Sequence, residues 1–267
     1  MGDPMKKITL PDLLKKKGAA PIVMTTCYDA SFARLAEAAG IETLLVGDSL
    51  GMVIKGEEST LGVALDEVAY HVRAVRRGAP SPFLIADMPF GSYQASVEKG
   101  VESAITLMKA GAEAVKVEGG SEVAPLVERL TSFGIPVVGH VGLTPQYVNL
   151  FGGYQKRGKN QAERELIAEG ARKLERAGAV MIVLESIPPE LAAAITAELT
   201  IPTIGIGAGP ATDGQVLVIY DLLGMNGSFN PSFLKKYLDM DRLVTAALEE
   251  YRDEVRTGRF PPRRNKS

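Results

Sequence analysis

Short apolar runs in this chain repeatedly stop at an ionisable residue. Residues 43–47 lead into Asp48-Ser49, 83–86 into Asp87, 114–115 into Lys116-Val117-Glu118, 135–139 into His140 and 180–184 into Glu185-Ser186. Carboxylates gathered in one place repel one another, and each loses hydration worth on the order of several kcal/mol, so packing does not account for them. A divalent cation does. Hard oxygen donors with few nitrogens and no thiolate cluster favour Mg²⁺ (or Mn²⁺) over Zn²⁺. Mg²⁺ takes one or two carboxylates and keeps its remaining positions for water and substrate. Asp48 and Asp87 are therefore the expected direct ligands, with Glu118 third, acting through a water.

Lys116 stands two residues before Glu118, and strand alternation points both side chains the same way, into the interior. A lysine there needs an anion: a substrate carboxylate, or a neighbouring carboxylate in an internal salt bridge. His140, one of two histidines, reads either as a group supporting the site or as a satisfied core residue. Each aspartate has a second reading as the N-cap of the next helix. Asp29, before Ala30-Ser31-Phe32, is read as a cap, Asp221 as structural and His71 as surface or packing. The glycines of Gly205-Ile-Gly-Ala-Gly either form a backbone phosphate cradle or let a loop pass close by, the second being preferred.

A particular scaffold would bring these groups together. Eight β-rich apolar runs (residues 22–26, 43–47, 83–86, 114–117, 135–139, 180–184, 202–206 and 215–219) alternate with helical patterns at 31–39, 65–77, 96–110, 122–133, 162–177 and 190–199. Continuous hydrophobicity suits parallel strands buried on both faces. Glycines follow several helices where a C-cap is expected: Gly40, Gly78, Gly111, Gly134 and Gly178. Eight βα units predict an α/β fold, a (β/α)8 TIM barrel, with an open doubly wound sheet as the alternative. A final helix is expected over 240–257. The intervals 50–66 and 144–161 are long for loops and read as lids or binding loops.

With 267 residues, about the length of one barrel, and no change of composition along the chain, a single domain is expected, with a short N-terminal extension and a frayed tail after Phe260. Met5 is a second candidate start, which would make Met1–Pro4 a remnant of expression. The net charge of −2 argues against a nucleic-acid partner. The basic runs Lys15-Lys16-Lys17 and Arg263-Arg264 read as solvated ends. One cysteine, Cys27, excludes an internal disulfide and suits a reducing compartment. With neither an apolar span nor a signal peptide, the expected location is the cytoplasm.

Five stretches then narrow the reading: Val46-Gly-Asp-Ser-Leu-Gly-Met, Ala86-Asp-Met-Pro-Phe-Gly-Ser-Tyr, Val115-Lys-Val-Glu-Gly-Gly, Gly139-His-Val-Gly-Leu-Thr-Pro-Gln and Gly205-Ile-Gly-Ala-Gly. In this order and spacing the chain resembles the ketopantoate hydroxymethyltransferases, from about Ile8 to past Gly227. The resemblance implies a metal-dependent barrel of the phosphoenolpyruvate/pyruvate superfamily. Its implied reaction is hydroxymethyl transfer from 5,10-methylenetetrahydrofolate to 3-methyl-2-oxobutanoate, giving 2-dehydropantoate and tetrahydrofolate on the way to pantothenate. It implies Asp48, Asp87 and Glu118 as the Mg²⁺ site, Ser49, Asp87 and Lys116 as substrate contacts, and Glu185 as the general base. A homo-oligomer, often a decamer, is implied as well. Folate is expected across the barrel mouth near Tyr154 and Lys156. The alternatives are another Mg²⁺-dependent 2-oxo-acid aldolase, lyase or phosphonate mutase of that superfamily, or a barrel that binds a metabolite without catalysis. Cys27 at the end of the first strand disfavours a lyase that carries its cysteine on a mobile loop.

Overall fold

Each of the eight apolar runs forms a strand in this computed structural model, which describes residues 6–227 and 230–262. The strands are β1 (Ile22–Thr26), β2 (Thr43–Val46), β3 (Phe83–Asp87), β4 (Ala114–Glu118), β5 (Val137–Gly142), β6 (Met181–Glu185), β7 (Thr203–Ile206) and β8 (Gly214–Leu217). Every strand pairs in parallel with its sequence neighbours and β8 closes on β1, which makes a (β/α)8 barrel. The helices of this unit are α1 (Leu10–Leu14), α2 (Ala30–Ala38), α3 (Leu50–Val53), α4 (Leu65–Gly78), α5 (Val97–Ala110), α6 (Ala124–Ser132), α7 (Val148–Phe151), α8 (Gln161–Arg176) and α9 (Pro189–Glu198).

Parity along the strands decides what faces inward. Ile22 and Met24 of β1, Leu45 of β2, Phe83 and Ile85 of β3, Ala114 of β4, Val138 of β5, Met181 and Val183 of β6, Ile204 of β7 and Val216 of β8 form one buried apolar cluster. Leu13 of α1 joins that cluster and is fully buried. Burying a side chain such as Ile85 is worth about 1.5–3 kcal/mol. Two residues further along these same strands, on the same face, stand Asp87, Lys116, His140 and Glu185, with Glu118 two beyond Lys116. The lower barrel is thus packed with hydrocarbon and the C-terminal mouth carries the charge.

Several boundaries differ from the sequence reading. Pro136 has no N–H to give a ladder, and β5 starts after it and runs on to Gly142, so His140 lies within the strand rather than at its end. β8 stops at Leu217, and Asp221 therefore does not end a strand. Gly40, Gly111, Gly134 and Gly178 have the positive φ of a C-terminal cap, whereas Gly78 does not. Gly78 is instead required by packing: a Cβ there would stand 2.3 Å from the Ala30 carbonyl oxygen. Asp29 caps α2 as expected, accepting hydrogen bonds from Ser31 N and Phe32 N at 2.7 and 2.9 Å. The two long intervals contain short helices, α3 in the first and α7 after a 3₁₀ turn (Pro145–Tyr147) in the second.

A second compact unit begins at Ile219. It contains α10 (Ile219–Leu222) and α11 (Met240–Arg256), linked by hydrogen bonds from Tyr237 N to Leu222 O (2.8 Å) and from Met240 N to Leu223 O (3.1 Å). Among the described residues no helix is long and apolar enough to cross a membrane. The readings of Met1–Pro4, Met5 and Arg263-Arg264 lie outside the described residues.

Candidate active site

Strand register assembles the cluster. Asp87 of β3 is level with Lys116 of β4, and Glu118 of β4 is level with His140 of β5. Lys116 Nζ lies 3.2 Å from Asp87 Oδ1 and 3.4 Å from Glu118 Oε1. His140 Nδ1 stands 3.2 Å from Lys116 Nζ and 3.3 Å from Glu118 Oε1. Asp48, just past β2, joins through its backbone, whose N–H donates to Asp87 Oδ2 at 3.0 Å. Asp48, Asp87, Lys116, Glu118 and His140 are all at most 5% exposed.

The electrostatics follow from that burial. Asp48 is raised well above the ordinary carboxylate range by desolvation and by the charges of Asp87 and Glu118. Asp87 is raised as well, chiefly by burial, with Lys116 pulling the other way. Glu118 goes in the opposite direction. Burial would raise it, but the Lys116 and His140 cations and the Gln146 N–H hold it at about 2. For Lys116, burial opposes the ammonium, but Asp87, Glu118 and Asp48 outweigh it and raise its pKa above the ordinary lysine value. Burial and Lys116 also oppose a charged His140, yet Glu118, helped by Glu185, carries it up to about 9. His140 Nε2 is 3.3 Å from Glu185 Oε2 but outside hydrogen-bond geometry, so we read the help from Glu185 as charge.

Glu185 sits higher, its side chain 22% exposed, and the backbone around it is tightly specified. Leu143 N donates to the Glu185 carbonyl at 2.8 Å. Gly142, level with Glu185 in the register, has φ +102°, and a Cβ there would meet the Glu185 carbonyl oxygen at 2.3 Å. Ser186, immediately after, is the one non-glycine with positive φ (49°) among the described residues. Its N–H donates to Ile206 O at 2.8 Å and its carbonyl accepts from Arg157 N at 2.9 Å. Such strain of about 1–3 kcal/mol persists where the surroundings over-determine a residue.

The predicted residues Asp48, Asp87, Lys116, Glu118, His140 and Glu185 therefore come together. Ser49 joins from the side, its Oγ 2.8 Å from the hydroxyl of the buried Tyr28. His71 Nδ1 contacts the Tyr28 carbonyl at 2.6 Å, a packing role. Tyr154 is near enough that Asp48, Glu118 and Glu185 add to the burial that raises its hydroxyl. Gly207 and Gly209 adopt positive φ in the turn after β7, and a Cβ on Gly209 would meet Pro189 at 2.7 Å. That favours the close-passing loop over a phosphate cradle. Sequence reasoning gave no role to Tyr28, Tyr93 or Gln146, although the last two end the quoted stretches Ala86–Tyr93 and Gly139–Gln146. Their signal was a polar side chain closing a stretch that begins at a strand end.

Fit to a hard divalent cation can be judged from the donors. Asp48 Oδ2 is held by Gln146 Nε2 and Asp87 Oδ2 by Asp48 N. Asp87 Oδ1 is buried and makes no hydrogen bond, its ion-pair partner being Lys116 Nζ at 3.2 Å. Among the described residues there is no group of three or more His, Cys, Asp or Glu side chains placed to hold a metal ion. Mg²⁺ does not need one, since it uses one or two carboxylates and otherwise water or substrate. Both oxygens of Glu118 face protein donors, Oε1 toward Lys116 and His140 and Oε2 accepting from Gln146 N at 2.9 Å. The donor set fits.

Closed barrels of eight parallel strands carry their chemistry at this end, and the class defined here is that of the (β/α)8-barrel enzymes. A model of the ketopantoate hydroxymethyltransferase family matches residues 7–263. The 3-methyl-2-oxobutanoate hydroxymethyltransferase of Thermotoga maritima is 54% identical over 249 residues, 93% of this chain and 92% of its own. That of Pelobacter propionicus is 51% identical over 264 residues, 98% and 97% of the two chains. A solved phosphonopyruvate hydrolase in complex with oxalate and Mg²⁺ shares the fold at TM-score 0.63 and 14% identity, over 94% of this chain and 88% of that one. The chain belongs to the ketopantoate hydroxymethyltransferase family. It is an enzyme, a hydroxymethyltransferase.

Proposed function

We propose that this enzyme transfers a hydroxymethyl group from 5,10-methylenetetrahydrofolate to 3-methyl-2-oxobutanoate, giving 2-dehydropantoate for pantothenate and coenzyme A synthesis. The observation that carries this reading is the buried pairing of Asp48 and Asp87 beside Lys116, with His140 connecting that cluster to the more exposed Glu185. Asp48 and Asp87 would hold Mg²⁺ directly, and Glu118 through a water. When bound, the ion supplies Lewis-acid polarisation of the substrate ketone, worth on the order of several kcal/mol in stabilising the enolate.

The chain's own groups do the rest. Lys116 and Ser49 orient the substrate carboxylate and fix the plane in which C3 is presented. Glu185 takes the C3 proton, and the C–H electron pair passes into the enolate. His140, close to Glu185 and held by Glu118, steadies the carboxylate that gains the proton. The acceptor carbon of 2-dehydropantoate is quaternary, so an adduct of enolate and folate could not expel the amine by β-elimination. Water instead adds to the methylene iminium, releasing a proton that balances the one taken up by the folate amine when the ring opened, and the C–N bond breaks, leaving formaldehyde and tetrahydrofolate. The enolate attacks formaldehyde, and protonated Glu185 returns its proton to the new alkoxide. Folate lies across the mouth near Tyr154 and Lys156. The enzyme is read as a cytoplasmic homo-oligomer, a decamer by family resemblance, which light scattering measures.

Deuterium exchange at C3 of 3-methyl-2-oxobutanoate tests the reading. Exchange is expected with Mg²⁺, should stop on chelation, and should be lost in Glu185→Gln while substrate binding persists. Exchange that continues unchanged in Glu185→Gln removes Glu185 from the role of base. If free formaldehyde at high concentration cannot replace the folate, the proposed order of events fails.

A further inference from the structure

Gln146 lies in the 3₁₀ turn after β5 and is 4% exposed. Every polar group it presents toward the cluster is used. Its backbone N–H donates to Glu118 Oε2 at 2.9 Å. Its Nε2 donates to Asp48 Oδ2 at 2.8 Å and to the Met88 carbonyl at 3.0 Å. Its Oε1 accepts from the Tyr93 hydroxyl at 2.8 Å and from Gln94 Nε2 at 3.1 Å.

The orientation of this amide is forced. Gln94 Oε1 accepts from Gly91 N at 2.7 Å, which leaves the NH₂ end of Gln94 facing Gln146. A flipped Gln146 would set NH₂ against NH₂ on one side and oxygen against the Asp48 carboxylate on the other. The nitrogen end therefore points at Asp48. One residue thereby grips two acidic groups from β2 and β4, and the hydrogen bond to Asp48 fixes which carboxylate oxygen turns toward the site. Tyr93 locks the same unit from β4, since its hydroxyl also accepts from Glu118 N at 3.2 Å.

We propose that Gln146, held by Tyr93, is a positioning residue that sets the geometry of Asp48 and Glu118 for a divalent cation. This rests on the reading that Asp48 and Asp87 hold the cation. A neutral donor suits the task. It fixes a carboxylate oxygen without adding a cation to compete with the metal, and outer partners of ligands typically govern about 10- to 100-fold in affinity.

The test is binding of Mn²⁺ alone, followed by electron paramagnetic resonance on the full-length chain, for wild type, Gln146→Leu, Tyr93→Phe and Asp48→Asn. Gln146→Leu keeps the backbone N–H to Glu118 and removes only the amide. It should weaken Mn²⁺ binding by about 10- to 100-fold. Tyr93→Phe removes the hydroxyl that meets both Gln146 Oε1 and Glu118 N; it should weaken binding by about fivefold or more and should broaden the Mn²⁺ spectrum, which a purely structural role away from the site would not do. Wild-type affinity in a folded Gln146→Leu, alongside lost binding in Asp48→Asn, overturns the positioning role and leaves the metal reading standing. Undiminished binding in Asp48→Asn overturns both. If Gln146→Leu does not fold, Tyr93→Phe decides, and an unchanged affinity there overturns the proposal.

Discussion

Replacing Lys116 by methionine keeps an unbranched side chain of similar length and removes the ammonium from a site holding three buried carboxylates. Lys116 Nζ is 3.2 Å from Asp87 Oδ1 and 3.4 Å from Glu118 Oε1, with only 5% of the lysine side chain exposed. At an effective dielectric of about 20, each pair contributes roughly 5 kcal/mol before desolvation. The hydration lost by the ammonium cancels several kcal/mol of this, and stranding the partners of a buried pair costs about 3–5 kcal/mol net. Unfolding entropy near 2.1 cal/mol/K per residue gives roughly 0.6 kcal/mol per kelvin for a chain of this size. The expected fall in Tm is therefore about 5–9 °C. Calorimetry should be run at pH 7 with a chelator, so that no divalent ion stands in for the lost cation. Asp87 and Glu118 would then be relieved only by taking up protons, and the deficit should narrow as the pH is lowered. A Tm within about 1 °C of wild type in chelator would refute the electrostatic account of this cluster.

Three further outcomes are expected. Asp213, just before β8, accepts from Lys17 Nζ (2.9 Å), Gly18 N (3.0 Å) and Thr203 N (2.9 Å). Burial pushes its carboxyl up, but these donors prevail and hold it below the ordinary 3.8. Because the folded value is the lower one, the unfolded chain binds more protons in that window, so the stabilisation is full above about pH 4 and fades as the pH falls through the folded value. Asp213→Asn should thus cost about 2–3 kcal/mol at pH 7 and distinctly less near pH 3, with kcat untouched; equal losses at both pH values would contradict this. Gly142→Ala would drive a Cβ into the Glu185 carbonyl, and displacing Glu185 by about 1 Å should lower kcat about 100-fold, more than it raises KM. Burial raises the Cys27 thiol to about 11, so a thiol reagent at pH 8 should label it only at the rate of unfolding, and rapid labelling of the native enzyme would show the site to be open.

The sequence by itself determined the alternation of strand and helix, the closure expected of eight such units, and the ionisable residues at the ends of the inward-facing rows. Those properties are local, because side-chain period and hydrophobic runs depend on neighbours a few residues away. Boundaries were less legible where one residue overrides a run, as Pro136 does at the start of β5. What only the tertiary structure decided is which groups meet. Barrel register set Lys116 opposite Asp87 and His140 opposite Glu118. The turn after β5 brought Gln146 to Asp48 across 98 positions of sequence. Tyr28 reached Ser49, and Ser186 took a left-handed backbone beside Glu185, through contacts with no sequence period. A hydrogen bond a few ångströms long between distant residues leaves no mark on either one's local sequence, whereas the face of a strand does.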